Sequence, residues 1–258
     1  MSDPIVLPTP LPFTALSPGQ LLIDPLNPSH SAFTGSSSLT LNEPVIRNDY
    51  RDHLTHDAEG RLISSIAART PSSYESENSV HLQADQSCYH SLNNPTSAFN
   101  TLRRNTDSQD YFRRIAKANQ TVYYVTSVQK LRNPSFSKAS PASPSATAYQ
   151  QSKSKIALPT YSRRDSTLDV SESSNDAILS VSLLKVRCLL GSPSTPHSIG
   201  DVDYAWTYHM LDDDVQLSIG LGKALRPAEF RKLACIVADE DFADGYEDGD
   251  EWDGVGGF

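Results

Sequence analysis

Two runs of β-forming chain, QTVYYVTSVQKLR (120–132) and AILSVSLLKVRCLL (177–190), constrain this sequence more than anything else in it. β-Branched and aromatic side chains fit a pleated, half-buried surface, so both runs are expected as strands. No window approaches 18 consecutive apolar residues, which excludes a helical membrane span. Should the chain cross a bilayer, it must do so as strands of a closed barrel, because lipid offers no partner to an open sheet edge. The runs are 13 and 14 residues long, and a tilted strand needs roughly 9–11 to cross the hydrocarbon. Their alternation is imperfect. Val122, Tyr124 and Val128 share one face with Thr126 and Lys130, while Tyr123, Val125 and Leu131 share the other with Ser127 and Gln129. That pattern is compatible with a barrel wall without specifying one.

Between the two runs lie residues 133–176, with twelve serines, four prolines and little that could form a core. A connection of this length is either functional or disordered. Residues 1–44 hold eight of the seventeen prolines with apolar residues between them, and read as an extended, edge-pairing arm. A polar helix is expected over 48–59, helix or strand over 61–69, and a strand over 79–92. Asn94 before Pro95 is a cap and first-turn pair, opening a helical stretch with Phe99, Leu102, Phe112 and Ile115 as its stripe and a break near 105–109. Residues 203–211 and 214–222 resemble a hairpin turning at Asp212 and Asp213, and 227–242 an amphipathic helix opened by Pro227. These elements group as an arm (1–44), a folded domain (45–238) and an acidic tail (239–258).

The net charge of −9 is not spread evenly. Nine acids and no base fall in 239–258, so residues 1–238 balance to zero. Within them, span 99–164 carries twelve bases, Arg103, Arg104, Arg113, Arg114, Lys117, Lys130, Arg132, Lys138, Lys153, Lys155, Arg163 and Arg164, against only Asp107 and Asp110. A net +10 over such a span points to a polyanion partner, with the tail as a possible competitor. For an anionic bilayer each nearby Lys or Arg contributes on the order of 1 kcal/mol. The rival reading is a soluble nucleic-acid-binding module or scaffold using the same charge. Against it, no zinc-finger, helix-turn-helix or RRM signature occurs, and the neighbouring aromatics follow no stacking pattern, so nucleic acid is not expected as a partner.

Other constellations are weaker. His53 and His56, with Asp52 and Asp57, would share a helix face at i, i+3 as metal ligands; lacking a third ligand cluster, they read more simply as a solvated helix face. GLGKA (220–224) lacks the third glycine of a dinucleotide loop and the hydroxyl of a Walker loop, and reads as a tight strand exit. There is no nucleophile elbow and no recognisable nucleophilic cysteine, so neither an enzyme nor a cofactor is expected. Asn119-Gln120-Thr121 is a glycosylation sequon and Arg163-Arg164-Asp165-Ser166 resembles a basophilic kinase site. No secretion signal is evident, because prolines break the early apolar stretch, and a cytoplasmic start is expected. Cys88, Cys188 and Cys235 lie far apart and read as buried thiols.

TVYYVTSVQKLRNPSFSKA (121–139) and DYAWTYHMLDDDVQLSIGLGKALRPAEFR (203–231) resemble the pore-forming domain of fungal gasdermin-like proteins, in particular the regulator-of-cell-death group that controls allorecognition. The order of helix, strand with Gln129, long Ser/Lys loop, strand and an acid-flanked QLSIGLG is also similar to the animal gasdermin N-terminal domain. The resemblance covers roughly 80–231. It implies an α+β fold, a twisted antiparallel sheet with surrounding helices. It further implies docking on acidic phospholipids of the inner leaflet, movement from cytoplasm to plasma membrane, and assembly as a homo-oligomer or with a related variant. Segments of about 60–92 and 120–190 would refold into transmembrane β-hairpins, with the Ser-rich loop as hairpin tip and spare length. The sequence departs from the animal proteins in lacking room for their separate inhibitory domain; the acidic tail is then either a mask or a solubility device.

Overall fold

The computed structural model describes residues 4–28, 32–35, 39–65, 79–138, 176–194, 202–212 and 214–234. Its frame is a ten-stranded sheet in which every pairing is antiparallel. The strands are β1 (Ile5–Pro12), β2 (Leu21–Leu22), β3 (Val45–His56), β4 (Leu62–Ser65), β5 (Ser79–Ser91), β6 (Thr121–Arg132), β7 (Ser135–Lys138), β8 (Ala177–Gly191), β9 (Ala205–Asp212) and β10 (Val215–Ala224). Among the described residues three helices accompany them: α1 (Pro95–Leu102), α2 (Thr106–Lys117) and α3 (Pro227–Leu233). The expected class, an antiparallel sheet with surrounding helices, is the one observed.

The main path runs β4-β3-β5-β6-β8-β10-β9. The long strands are shared between successive partners. One edge of β8 pairs with β6 along almost its whole length, while the other meets β1 over Ala177–Val181 and β10 over Leu184–Gly191. Likewise β5 meets β6 through Gln86–Ser91 and β7 through Val80–Gln83. The Pro-rich arm supplies β1 and β2, with Ile5, Leu7, Leu21 and Leu22 buried. Proline has no amide to donate, which confines it to such interrupted pairing, and β1 shifts register between Val6 and Leu11.

The helices form where sequence chemistry places them. Asn94 accepts the amide of Ser97 at 2.9 Å with Pro95 in the first turn, and Asn105 accepts that of Asp107 at 3.0 Å. The expected helical stretch is thus two helices, broken at 103–105. Asn119 ends the second helical segment with φ +48, the left-handed cap that asparagine tolerates, which gives this sequon residue a structural role.

Three cores result. On one face, Phe99, Leu102, Tyr111, Phe112 and Ile115 of α1 and α2 cover Val122, Tyr124, Val186, Cys188, Leu217 and Ile219. A second joins Ile5, Leu7, Leu16, Tyr123, Val125, Val128, Val181, Leu183 and Phe230 of α3. A third gathers Leu54, Leu62, Val80, Leu82, Leu131 and Leu179. Burying each such large side chain stabilises by about 1.5–3 kcal/mol. The expected placing of Val128 on the face of Val122 and Tyr124 fails for a visible reason: a register shift between Val125 and Ser127 turns Val128 toward the core of Tyr123 and Val125.

The helix expected over 48–59 is instead part of β3. Its buried face carries Asp52, Leu54 and His56, and polar residues there hide the period of two. The 61–69 stretch resolves as strand over Leu62–Ser65, the remainder lying outside the described residues. Nor is GLGKA a strand exit, since Gly220 and Gly222 lie inside β10. A Cβ at Gly220 would stand 2.9 Å from the Trp206 ring, and one at Gly222 2.6 Å from that of Tyr204, so these glycines make room for two aromatic rings. The hairpin near Asp212 is present, with Val215 opposite Asp212. Among the described residues, no helix is long and apolar enough to cross a membrane.

Candidate functional site

Five of the twelve expected docking cations fall on, or just after, the two helices that cover one sheet face. Arg103 caps α1, half-buried, with its guanidinium 5.8 Å from the centre of the Phe99 ring; burial, aided by the adjacent Arg104, pushes its pKa down. Arg104 beside it is exposed. In the last turn of α2 Arg114 and Lys117 are exposed, and Arg113 just before it is half-buried. The negative end of the helix dipole favours cations there. Arg114 also lies 5.9 Å over the Tyr111 ring, so its stem stays on the apolar surface while its charge faces out. Burial raises the Tyr111 hydroxyl to a pKa of about 12, so it stays neutral beneath these charges.

Three more belong to the sheet. Lys130 on β6 is half-buried with its ammonium 4.2 Å over the Phe13 ring. Arg132 is exposed at the end of β6, and Lys138 ends β7 opposite Val80. Lys153, Lys155, Arg163 and Arg164 lie outside the described residues, as do the acidic tail and the kinase-site resemblance. The twelve are therefore not one described patch, but a helix-borne set of five, a sheet-borne set of three and four unplaced.

Pairing sorts the cations further. Lys185 donates to Glu229 at 2.7 Å, Lys223 to Asp203 at 2.7 Å, and Arg61 holds Asp57 and Glu59. Among the described residues, no ion pair involves Arg104, Arg113, Arg114 or Lys117. An unpaired cation keeps its field available to an external anion. Sequence counting over 99–164 missed Arg231 and Lys232, which close α3 beside the second core. Their signal was present in the basic end of the PAEFRKL turn.

Polar contacts also cross the sheet between β5, β6 and β8. Gln129 on β6 donates to Ser87 on β5 at 3.0 Å and accepts from Ser180 on β8 at 2.8 Å, linking three strands through one amide. Tyr89 donates to Ser127 at 2.7 Å, and Thr126 to the Ser182 carbonyl at 3.1 Å. These bonds sit in the second half of β6 and the first half of β8, where an all-apolar strand pair would carry none.

The shared helix face read for His53 and His56 is overturned, because both lie in β3. Residues three apart in a strand face opposite ways, so His53 is exposed while His56 is buried with its Nδ1 2.7 Å from the Asp57 carbonyl. Among the described residues, no three His, Cys, Asp or Glu side chains gather as a metal cluster. Cys188 is buried, Cys88 only half-buried, and Cys235 outside the described residues.

No family model matches this chain, and no curated protein matches it. Among solved structures it is similar to a bacterial gasdermin from Bradyrhizobium tropiciagri, at 14% identity and a TM-score of 0.30, over 71% of this chain and 82% of that one. No functional residue carries over from a likeness at that level.

Proposed function

We propose that the chain is a pore-forming cell-death effector without enzymatic activity, acting in the allorecognition setting that its sequence resemblance implies. It docks on acidic phospholipids of the inner leaflet through Arg104, Arg113, Arg114 and Lys117, oligomerises, alone or with a related variant, and inserts hairpins drawn from about 60–92 and 120–190. The observation that carries this reading is a juxtaposition. Helix-borne cations without described carboxylate partners lie over β6 and β8, strands of 12 and 15 residues that flank the Ser-rich segment. Four engaged cations at about 1 kcal/mol each hold a protein only weakly to a bilayer, and assembly of many copies multiplies that attraction.

Dye-loaded vesicles test it. Those containing phosphatidylserine should leak and carry ring-shaped assemblies by electron microscopy, and phosphatidylcholine vesicles should do neither. Equal leakage from both would refute electrostatic docking, and docking without leakage or rings would refute the pore.

A further inference from the structure

The histidine that the strand took from His56 acquires a different companion. In the β3–β5 ladder His53 stands directly opposite His81, and their rings meet edge to face with centres 4.4 Å apart at 72°. Both imidazoles belong to the outer face, His53 exposed and His81 half-buried, with neither ring nitrogen hydrogen-bonded in a described contact. Among the described residues, their neighbours along that face are Arg51, Thr55, Ser79, Gln83 and, across β7, Ser137. None of these competes as a carboxylate.

We propose that His53 and His81 form a two-imidazole site for a divalent transition metal of the nitrogen-preferring class, nickel, copper or zinc, with water filling the remaining positions. Two imidazoles bound at right angles to one ion, with metal–nitrogen bonds of about 2.0–2.1 Å, hold their ring centres about 4.5 Å apart. The observed spacing therefore meets the right-angle requirement of nickel or copper before any ion arrives, whereas the tetrahedral angle of zinc asks the ring centres to part slightly, and the rings turn about their broad terminal torsions to converge their nitrogens. The backbone ladder fixes both Cα positions, so little ordering remains to oppose binding. Arg51 on the same face opposes any cation, which places this site among exchangeable ones rather than structural ones. An ion bound here clasps β3 to β5 and favours the folded chain over the unfolded one.

The test uses the full chain with CuCl2, NiCl2 or ZnCl2 alone. Electron paramagnetic resonance of the copper complex should show coupling to two nitrogens, falling to one in His53→Gln and in His81→Gln. Nickel or zinc should raise the melting temperature of the parent chain, and not that of either variant, while His90→Gln responds like the parent. Circular dichroism without metal confirms that both variants fold, as expected for outward-facing positions. Loss of the thermal shift and the two-nitrogen signal in both variants supports the site. An unchanged copper signal in either variant, or no binding at about millimolar metal, overturns it. The readouts contain no lipid, so this site stands or falls apart from the proposed pore.

Discussion

The Glu229 carboxylate of α3 accepts the Lys185 ammonium of β8 at 2.7 Å, tying the last described helix to the most shared strand of the sheet. The same carboxylate accepts the backbone amide of Arg226 at 3.0 Å, so one side chain caps its own helix and anchors it. The Lys185 hydrogen bond, the Arg226 amide and both nearby cations together hold its pKa near about 2, well below the ordinary 4.5. A carboxyl with a lowered folded pKa contributes stability that is present above 4.5 and lost as the pH falls toward about 2. Both side chains are partly solvated, which limits the pair to about 1 kcal/mol. Urea titration of Glu229→Gln at neutral pH should show that loss, with the difference from the parent vanishing near pH 2.

Charge reversal on α2 addresses docking. Arg113→Glu, Arg114→Glu and Lys117→Glu combined should weaken sedimentation with phosphatidylserine vesicles on the order of 100-fold, from about 1 kcal/mol per removed cation, and more as reversal adds repulsion. The melting temperature should fall modestly, since none of the three has an ion pair among the described residues but the new acids meet the negative end of the helix dipole and Arg114 leaves the Tyr111 ring. Undiminished sedimentation would exclude this helix as the docking element.

Phe112 is fully buried and meets Phe99 edge to face at 6.0 Å, and Phe99 in turn meets Tyr124 at 5.2 Å. Phe112→Ala should cost about 3–5 kcal/mol, the usual range for emptying an aromatic site. Denaturant titration gives the number. A cost below 1 kcal/mol would mean that the helices are not seated on the sheet as described.

Gly222→Ala places a methyl group 2.6 Å from the Tyr204 ring, and overpacking of this kind costs about 1–3 kcal/mol. Gly222→Ala with Tyr204→Ala should recover part of the loss, because the second change removes the ring the methyl strikes. A purely additive pair of effects would show that glycine is needed there for another reason.

Gln129→Leu keeps the volume roughly but removes both bonds across β5, β6 and β8. Leaving the Ser87 and Ser180 hydroxyls to find other partners should cost about 1–3 kcal/mol, measured by thermal or urea unfolding.

The sequence revealed the strands rich in β-branched and other apolar residues and the helices with side-chain caps. β6 and β8 announce themselves through Val122–Val125 and through Ile178, Leu179, Val181, Leu183 and Val186, and the first two helices through Asn94, Pro95 and Asn105. Strand β3 was hidden because its inward face is polar. Asp52 is buried only because Ser65 donates to both its oxygens, at 2.9 and 2.8 Å, and Tyr50 to one of them at 2.9 Å, partners that lie on its own and a later strand. The same misreading produced the wrong histidine pair, since the true companion of His53 is set by cross-strand register and not by spacing. The basic set was legible as composition and only partly as a surface, because neighbouring carboxylates such as Glu229 and Asp203 decide which cations stay free.

The double edge of β8 bears on how abruptly the molecule could change state. Its first half is held by β1 and β6 and its second by β6 and β10, so sliding it by even one residue must break three ladders together. Intermediate positions forfeit hydrogen bonds on both sides and turn every apolar side chain to the wrong face. A rearrangement that moved β8 would therefore be all-or-none, where one confined to a strand on the margin of the sheet would be graded.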